Sequence, residues 1–126
     1  MATIRYLVSD VESAIAFYTQ HLGFTLEENW GGVFAIVSRK DLNLWLSGPK
    51  TSAARPMPNG DQPVPGGWNR LVVTVDDIEL IVQSLRQAGI HLRSDVITGP
   101  GGKQVVINDP SGNPIELFEP AREGLA

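Results

Sequence analysis

The sequence predicts an α+β fold made of two βαβββ modules, and an internal repeat is the main evidence for it. The first copy contains Leu7-Val8-Ser9-Asp10 followed by an amphipathic helix, and the second contains Thr74-Val75-Asp76-Asp77 followed by another. Each copy continues with strand-like runs and closes on a similar triplet, Leu44-Trp45-Leu46 or Ile115-Glu116-Leu117. Neither copy can bury its apolar face alone, so we expect two curved mixed sheets that form a pocket between the modules.

The first module is expected over residues 2–50. A run rich in β-branched and aromatic residues predicts a strand over 3–9, after which Asp10 is placed to cap a helix that Gly23 ends. Further strands are predicted over 24–28, 33–38 and 42–47. The helix should bury the apolar residues at helical spacing: Ala14, Ile15, Phe17, Tyr18 and Leu22.

A connection over residues 51–67 contains four prolines and three glycines, a composition that excludes helix and interior strand. The second module is expected over 68–120, with a strand at 69–75. Asp76 or Asp77 should cap the second helix, and Glu79 follows Asp76 at capping-box spacing. The remaining strands are predicted over 90–97, 103–108 and 113–118, followed by a tail from Ala121 that nothing holds.

Composition limits the classes of function. The 126 residues are 42% hydrophobic and 19% charged, as in an ordinary soluble globular protein, and fit a single domain over 1–126. A net charge of −4 without a basic stripe argues against a nucleic-acid partner. The absence of cysteine excludes disulfides and thiolate chemistry. With no apolar leader or membrane-length run, we expect a cytoplasmic protein with no membrane partner.

Aligning the two copies places a candidate site. Asp10 matches Asp77, so Thr3 corresponds to Arg70, and the closing triplets match Trp45 with Glu116. Side chains alternate across a strand, so every second residue of the outer strands faces away from the helix. The residues that this alternation places on the concave face are Thr3, Arg5, Trp45, Ser47, Arg70, Glu116 and Phe118.

The sequence resembles the vicinal oxygen chelate superfamily, which includes glyoxalases, extradiol dioxygenases, fosfomycin-resistance enzymes and bleomycin-resistance proteins. The residues that carry the resemblance are Val8-Ser9-Asp10, Ala16-Phe17-Tyr18, Leu22-Gly23-Phe24 and the run Asp109-Pro110-Ser111-Gly112-Asn113-Pro114-Ile115-Glu116-Leu117. The resemblance implies the paired βαβββ fold and a homodimer, with repeats either exchanged or unexchanged. It leaves the activity open, because one fold hosts many chemistries.

Metal-dependent members of that superfamily take ligands from four positions, which here match Thr3, Trp45, Arg70 and Glu116. The family enzymes have His or Gln, Glu or His, His, and Glu at these positions, so only Glu116 fits. A guanidinium at Arg70 would repel a divalent ion by about 8 kcal/mol at 4 Å for an effective dielectric near 20. We therefore expect no metal and no cofactor.

A subtler resemblance is to the bleomycin-resistance branch, through Phe34-Ala35-Ile36-Val37-Ser38-Arg39-Lys40-Asp41 followed by Leu44-Trp45-Leu46-Ser47. Those proteins hold a planar cationic drug in an aromatic groove without using a metal. The segment Pro65-Gly66-Gly67-Trp68-Asn69-Arg70 departs from theirs. The resemblance implies a metal-independent protein that binds a partly aromatic ligand or antibiotic. The alternative is a glyoxalase-like lyase, isomerase or dioxygenase in which Glu116 is the base and Arg70 stabilises an oxyanion.

The expected ligand contacts are Thr3, Arg5, Trp45, Ser47, Trp68, Arg70, Glu116 and Phe118. Competing interpretations stay open for several of them. Arg70 and Glu116 can form a purely structural ion pair, and Trp45 can be core filler rather than a stacking platform. Trp68 is either a strand-start anchor or a pocket lip. Arg5 can be a solvated side chain rather than a ligand contact, and Trp30 is interpreted as a surface or dimer contact.

Overall fold

The computed structural model describes residues 1–121, which contain eight β-strands, two α-helices and one short 3-10 helix. They form two compact units: Met1–Gly66 with Pro110–Asn113, and Gly67–Asp109 with the chain from Pro114 onward. Each unit repeats the order strand, helix and three strands, which confirms the α+β class and the βαβββ repeat. Neither α-helix of the described residues has the length and apolarity to span a membrane.

The first unit contains a four-stranded mixed sheet in the order β1-β4-β3-β2. Strands β1 and β4 pair in parallel, and the other neighbours are antiparallel. Its elements are β1 (Ala2–Leu7), α1 (Val11–His21), β2 (Thr25–Trp30), β3 (Phe34–Arg39) and β4 (Leu42–Ser47).

Helix α1 begins and packs as the sequence predicts. The carboxylate of Asp10 accepts a hydrogen bond from the Ser13 amide at 3.3 Å, which satisfies one free N–H of the first turn. Gly23 follows the helix with φ of 73°, a left-handed conformation that suits glycine. The five apolar residues expected to be buried are all in the core. This helix covers one face of the sheet and leaves the other face for a site.

The connection after β4 contains a short helix, contrary to prediction. Ser52–Ala54 form one 3-10 turn, and the Thr51 hydroxyl donates to the Gly48 carbonyl at 2.7 Å. The first proline of the predicted connection is Pro56, so the residues before it keep the backbone N–H groups that a turn needs. Proline content therefore excludes helix only from the later part of the segment.

The second unit contains an equivalent sheet in the order β5-β8-β7-β6. Strands β5 and β8 are parallel, and the other pairs are antiparallel. Its elements are β5 (Leu71–Thr74), α2 (Ile78–Gln87), β6 (Ile97–Gly99), β7 (Gly102–Asn108) and β8 (Pro114–Pro120).

Asp77 caps helix α2, and the predicted capping box between Asp76 and Glu79 is wrong. The Asp77 carboxylate accepts from the Leu80 amide at 3.1 Å. The Ile78 amide donates instead to a carboxylate oxygen of Glu119, at 2.8 Å. A side chain from β8 therefore satisfies one of the free N–H groups of the first helical turn, together with the cap at Asp77.

The strand predicted over 90–97 is wrong. The Ile90 amide is used to end α2, where it donates to the Leu85 carbonyl at 3.0 Å. Leu92 forms only an isolated bridge with Ile107, and regular pairing starts at Ile97. The residues just after α2 therefore complete the end of the helix instead of pairing in the sheet, and β6 is short.

The chain end also differs in part from the prediction of an unheld tail. The Ala121 amide donates to the Gly101 carbonyl at 2.9 Å, so this residue is held. The rest of that tail lies outside the described residues.

Candidate ligand-binding site

A cavity of about 450 Å³ lies in the first unit, on the sheet face opposite α1. Its wall combines aromatic rings with one basic and one acidic side chain. The lining residues are Arg5, Glu28, Trp30, Val33, Phe34, Ile36, Trp45, Thr51 and Ser52.

The strand register explains why Arg5 and Trp45 meet on this face. Parallel pairing sets Arg5 opposite Trp45, and Leu7 opposite Ser47. Leu44 and Leu46 are fully buried on the helix side, so Trp45 between them projects to the other side. The predicted alternation is confirmed for Leu44, Trp45 and Leu46 of β4, whereas β1 shows none, since Ile4 is exposed.

Three aromatic side chains, which we call the aromatic row, are in successive edge-to-face contact along the cavity. The ring centroids of Trp30 and Phe34 are 5.4 Å apart, and those of Phe34 and Trp45 are 5.7 Å apart. The Arg5 guanidinium carbon lies 4.9 Å from the Trp45 ring centroid, a cation–π distance. These contacts fix a rigid apolar wall with a cation at one end.

Polar contacts hold the two ends of the aromatic row. Arg5 Nη1 donates to the hydroxyl of the buried Ser47 at 3.0 Å. The Trp30 indole N–H donates to Glu28 Oε1 at 2.8 Å. The charged groups of Arg5 and Glu28 form no ion pair with each other or with any other described residue. Both side chains are therefore held in position, and no residue among 1–121 neutralises either charge.

In the second unit, Arg70 and Glu116 form the ion pair that the sequence suggested. Arg70 Nε and Nη2 donate to Glu116 Oε1 at 3.0 and 2.8 Å, and Nη1 donates to the Trp68 carbonyl at 3.2 Å. The Arg70 side chain is 28% exposed and that of Glu116 is 12% exposed. Glu116 Oε2 accepts no hydrogen bond within the described part of the chain.

Trp68 precedes β5 and stacks under an arginine that sequence reasoning missed. Arg93 Cζ lies 4.5 Å from the Trp68 ring centroid. Arg93 also donates to the Gly67 carbonyl at 2.7 Å and to Asn108 Oδ1 at 2.6 Å. These bonds tie the chain before β5 to β7, in keeping with the strand-start interpretation, although Trp68 stays 67% exposed.

The predicted site residues divide between the two units. In the first unit, Arg5 and Trp45 line the cavity, and the Ser47 hydroxyl accepts a hydrogen bond from Arg5. Thr3 lies exposed in β1, opposite Asn43. In the second, Phe118 is partly buried in β8, where it pairs with Thr74. The other second-unit candidates are Trp68, Arg70 and Glu116.

Sequence reasoning missed part of the cavity wall: Glu28, Trp30, Phe34 and Ile36. Phe34 and Ile36 were accessible from alternation, since Ala35 and Val37 are the fully buried residues of β3. Trp30 was interpreted as a surface or dimer contact; its 61% exposure confirms a surface position, and it also lines the cavity. The dimer contact stays a prediction.

The donor set at the four family metal positions does not fit a divalent ion. Thr3 and Trp45 supply no carboxylate or imidazole, Arg70 is a cation, and Arg70 occupies one oxygen of Glu116. Among residues 1–121, no group of three or more His, Asp or Glu side chains is placed to hold a metal.

Known proteins share both the sequence pattern and the fold. The chain is 30% identical over 119 residues to virulence protein STM3117 of Salmonella typhimurium, which covers 89% of this chain and 78% of that protein. It is 29% identical to TnmS3, an antibiotic binding protein from Streptomyces sp. CB03234, with a TM-score of 0.72 and coverage of 94% and 93%.

The fold is also that of lactoylglutathione lyase from Agrobacterium tumefaciens, with a TM-score of 0.72, 22% identity and coverage of 94% and 92%. The family model for the Glyoxalase/Bleomycin resistance protein/Dioxygenase superfamily matches residues 1–117. The structure agrees with this match, because it shows the repeated βαβββ order and two four-stranded sheets. The chain belongs to the Glyoxalase/Bleomycin resistance protein/Dioxygenase superfamily.

Proposed function

We propose that this protein is a metal-independent small-molecule-binding protein that holds a partly aromatic ligand, such as an antibiotic, against the aromatic row. The observation that carries the proposal is the contact series of Trp30, Phe34 and Trp45 on a cavity of about 450 Å³. A cavity of this size suits a drug-sized molecule, and an apolar wall with a few polar groups is typical of ligand sites. Similarity to an antibiotic binding protein supports the same class of ligand.

The packing of the wall also supports a binding role. Trp45 contacts both Phe34 and Arg5, so a planar ligand meets a ring that is already held in place. A preorganised platform lowers the entropy cost of binding. An aromatic pair contributes about 0.5–1.5 kcal/mol beyond the area that it buries. The metal-poor donor set supports binding without a metal.

A tryptophan-fluorescence titration with a panel of planar aromatic compounds, antibiotics included, tests the proposal. We expect quenching with wild-type protein, and Trp45→Leu should weaken binding about tenfold, or 1.4 kcal/mol, through loss of stacking. Leu26→Ala is the matched control, because Leu26 is partly exposed in β2 and does not line the cavity. A panel that gives neither quenching nor a thermal shift would refute the proposal.

The residues predicted in the second unit remain proposed contacts. A parallel titration of Trp68→Leu reports whether Trp68 contributes. If affinity falls about tenfold, as for Trp45→Leu, Trp68 is a ligand contact. Unchanged affinity leaves it as the stacking partner of Arg93.

A second candidate function is a glyoxalase-like lyase, isomerase or dioxygenase activity. The observation that favours it is the geometry of Glu116, whose Oε1 takes both Arg70 hydrogen bonds while Oε2 takes none from residues 1–121. Such a carboxylate can remove a proton next to a carbonyl, while the guanidinium stabilises the enolate oxygen. Glu116→Gln should then abolish turnover of an α-keto or α-hydroxy carbonyl substrate and keep the fold. Retained turnover removes Glu116 from the mechanism.

We also propose that the protein acts in the cytoplasm as a homodimer, with a small molecule as its ligand. The family resemblance read from the sequence supports this assembly. Light scattering during size-exclusion chromatography tests it directly, because a dimer has twice the 13.7 kDa mass of one chain. A species of single-chain mass at micromolar concentration contradicts it.

A further inference from the structure

One row of paired residues runs across the whole first sheet and ends in opposite charges. Arg5 of β1 pairs with Trp45 of β4, Trp45 pairs with Ile36 of β3, and Ile36 pairs with Glu28 of β2. All four residues line the cavity. Because β1 and β2 are the edge strands, the basic residue lies at one edge and the acidic residue at the other.

We propose that this cavity selects a zwitterionic aromatic ligand, whose anionic group binds Arg5 and whose cationic group binds Glu28. The ring system between these groups would lie along the aromatic row. The inference rests on the proposed binding function and deepens it by assigning the charges of the ligand. It gives each charged residue a separate role in specificity.

Arg5 is prepared for an anion. Of its five N–H donors, the one described hydrogen bond goes to Ser47, and the Trp45 ring fixes the plane of the guanidinium. The second unit provides the contrast. There Glu116, at the repeat position of Trp45, neutralises Arg70. Trp45 holds Arg5 without cancelling its charge, so donors remain for a bidentate carboxylate.

Glu28 is prepared for a cation. Its one described hydrogen bond comes from the neutral indole of Trp30, which orients the carboxylate and leaves its charge in place. A bulge between Leu26 and Glu28 shifts the pairing of β2 and sets Glu28 opposite Ile36. This shift puts the carboxylate on the cavity wall. An ammonium group can therefore contact Glu28 while the ligand ring contacts the aromatic row.

The spacing of Arg5 and Glu28 across the sheet favours a ligand whose two charges lie well apart. Three interstrand spacings of about 4.8 Å place the Cα atoms of Arg5 and Glu28 about 14 Å apart. The Arg5 side chain leans over Trp45, one strand inward, which shortens the gap. A ligand whose carboxylate and amine lie at opposite ends of a ring system matches this separation and can contact both groups across the aromatic row.

Three quinolone compounds that share one ring system and differ in their charged groups test this assignment. Norfloxacin carries a carboxylate and an amine at opposite ends of a bicyclic ring, its N-acetyl derivative keeps only the anion, and its methyl ester keeps only the cation. Titration calorimetry with the full chain should show norfloxacin binding about two- to fivefold more tightly than either derivative, as expected for one charge contact at the solvent-exposed Arg5 or Glu28.

Two variants assign the charges to residues. Arg5→Gln should bring the affinity for norfloxacin down to that for the ester, with partial recovery in Arg5→Lys. Glu28→Gln keeps an acceptor for Trp30 and should remove the preference for norfloxacin over the N-acetyl derivative. Glu27→Gln is the matched control, because Glu27 is bonded to Ser38 and does not line the cavity. Melting curves for each variant establish that it is folded.

The outcomes separate this inference from the proposed function. Equal affinity for norfloxacin and either derivative overturns the inference and leaves the binding function standing. Binding of neutral aromatic compounds with no binding of norfloxacin has the same meaning. Failure of every aromatic compound to bind overturns both.

Discussion

The ion pair between Arg70 and Glu116 makes a quantitative and asymmetric prediction. Arg70→Met removes the two donors at 3.0 and 2.8 Å and leaves a carboxylate that is only 12% exposed. Breaking a fully buried pair costs about 3–5 kcal/mol, whereas a single hydrogen bond to a charged group contributes about 1.5–3 kcal/mol. Because this pair is partly open to solvent, we expect Arg70→Met to lower the free energy of unfolding by about 2–3 kcal/mol.

The reverse substitution should cost less. Glu116→Gln keeps an acceptor oxygen for Arg70, which is 28% exposed and retains its bond to the Trp68 carbonyl. We expect a loss of about 1 kcal/mol. In the double variant neither charge is left behind, so the two single effects should not add, with a coupling of about 1–2 kcal/mol.

Urea unfolding followed by far-ultraviolet circular dichroism measures these free energies, provided that the slope with denaturant stays constant among the variants. Far-ultraviolet detection avoids the fluorescence of Trp68, whose environment changes with Arg70. The reasoning is refuted if Arg70→Met stays within about 0.5 kcal/mol of wild type, the range of ordinary surface substitutions. It is also refuted if Glu116→Gln is the more destabilising change.

Three further predictions follow from the backbone, a helix cap and the donor set. Gly102→Ala should cost more than about 3 kcal/mol in unfolding free energy, because φ is +144° and an added Cβ would lie 2.1 Å from the Glu119 carbonyl oxygen. Gly101→Ala, where a Cβ meets nothing within 4 Å, is the control, and equal melting temperatures for the two variants would contradict the prediction. Asp77→Ala removes the acceptor of the Leu80 amide and should cost about 1 kcal/mol in urea unfolding; no loss would show that the cap is replaced by water. Zinc or nickel in excess should leave the melting temperature unchanged, since the donor set does not fit, and a chelator-reversible rise of several degrees would show that a metal site exists.

The fold and the faces of β4 could be predicted from the sequence because they depend on interactions between residues close together in the chain. Asp10 and Gly23 mark the ends of α1, and strand alternation sets the faces of β4. The same alternation put Arg5 and Trp45 on one face, and the structure shows their cation–π contact. Helix caps and periodicity involve neighbouring residues, so one sequence is enough to place them.

The predictions that were wrong or incomplete concern contacts between segments far apart in the sequence. The acceptor for the Ile78 amide comes from Glu119 on β8, which no local motif identifies. The bulge between Leu26 and Glu28 changes which side chains of β2 face the cavity. Every residue of β2 is exposed, so hydrophobic alternation carried no signal there. Strand alternation, which placed Trp45 correctly, therefore could not predict that Glu28 and Trp30 line the cavity.

The exposure of β2 has a consequence for how this protein can change over evolutionary time. Its six residues contribute no buried side chain, so substitutions there have little effect on folding. Residues at the acidic end of the cavity, near Glu28, can therefore be substituted with little effect on the stability of the fold. The basic end is more constrained, because Arg5 is bonded to a buried serine. In evolving relatives of this protein, we expect changes in ligand preference to arise first from substitutions in β2, while Arg5 is retained.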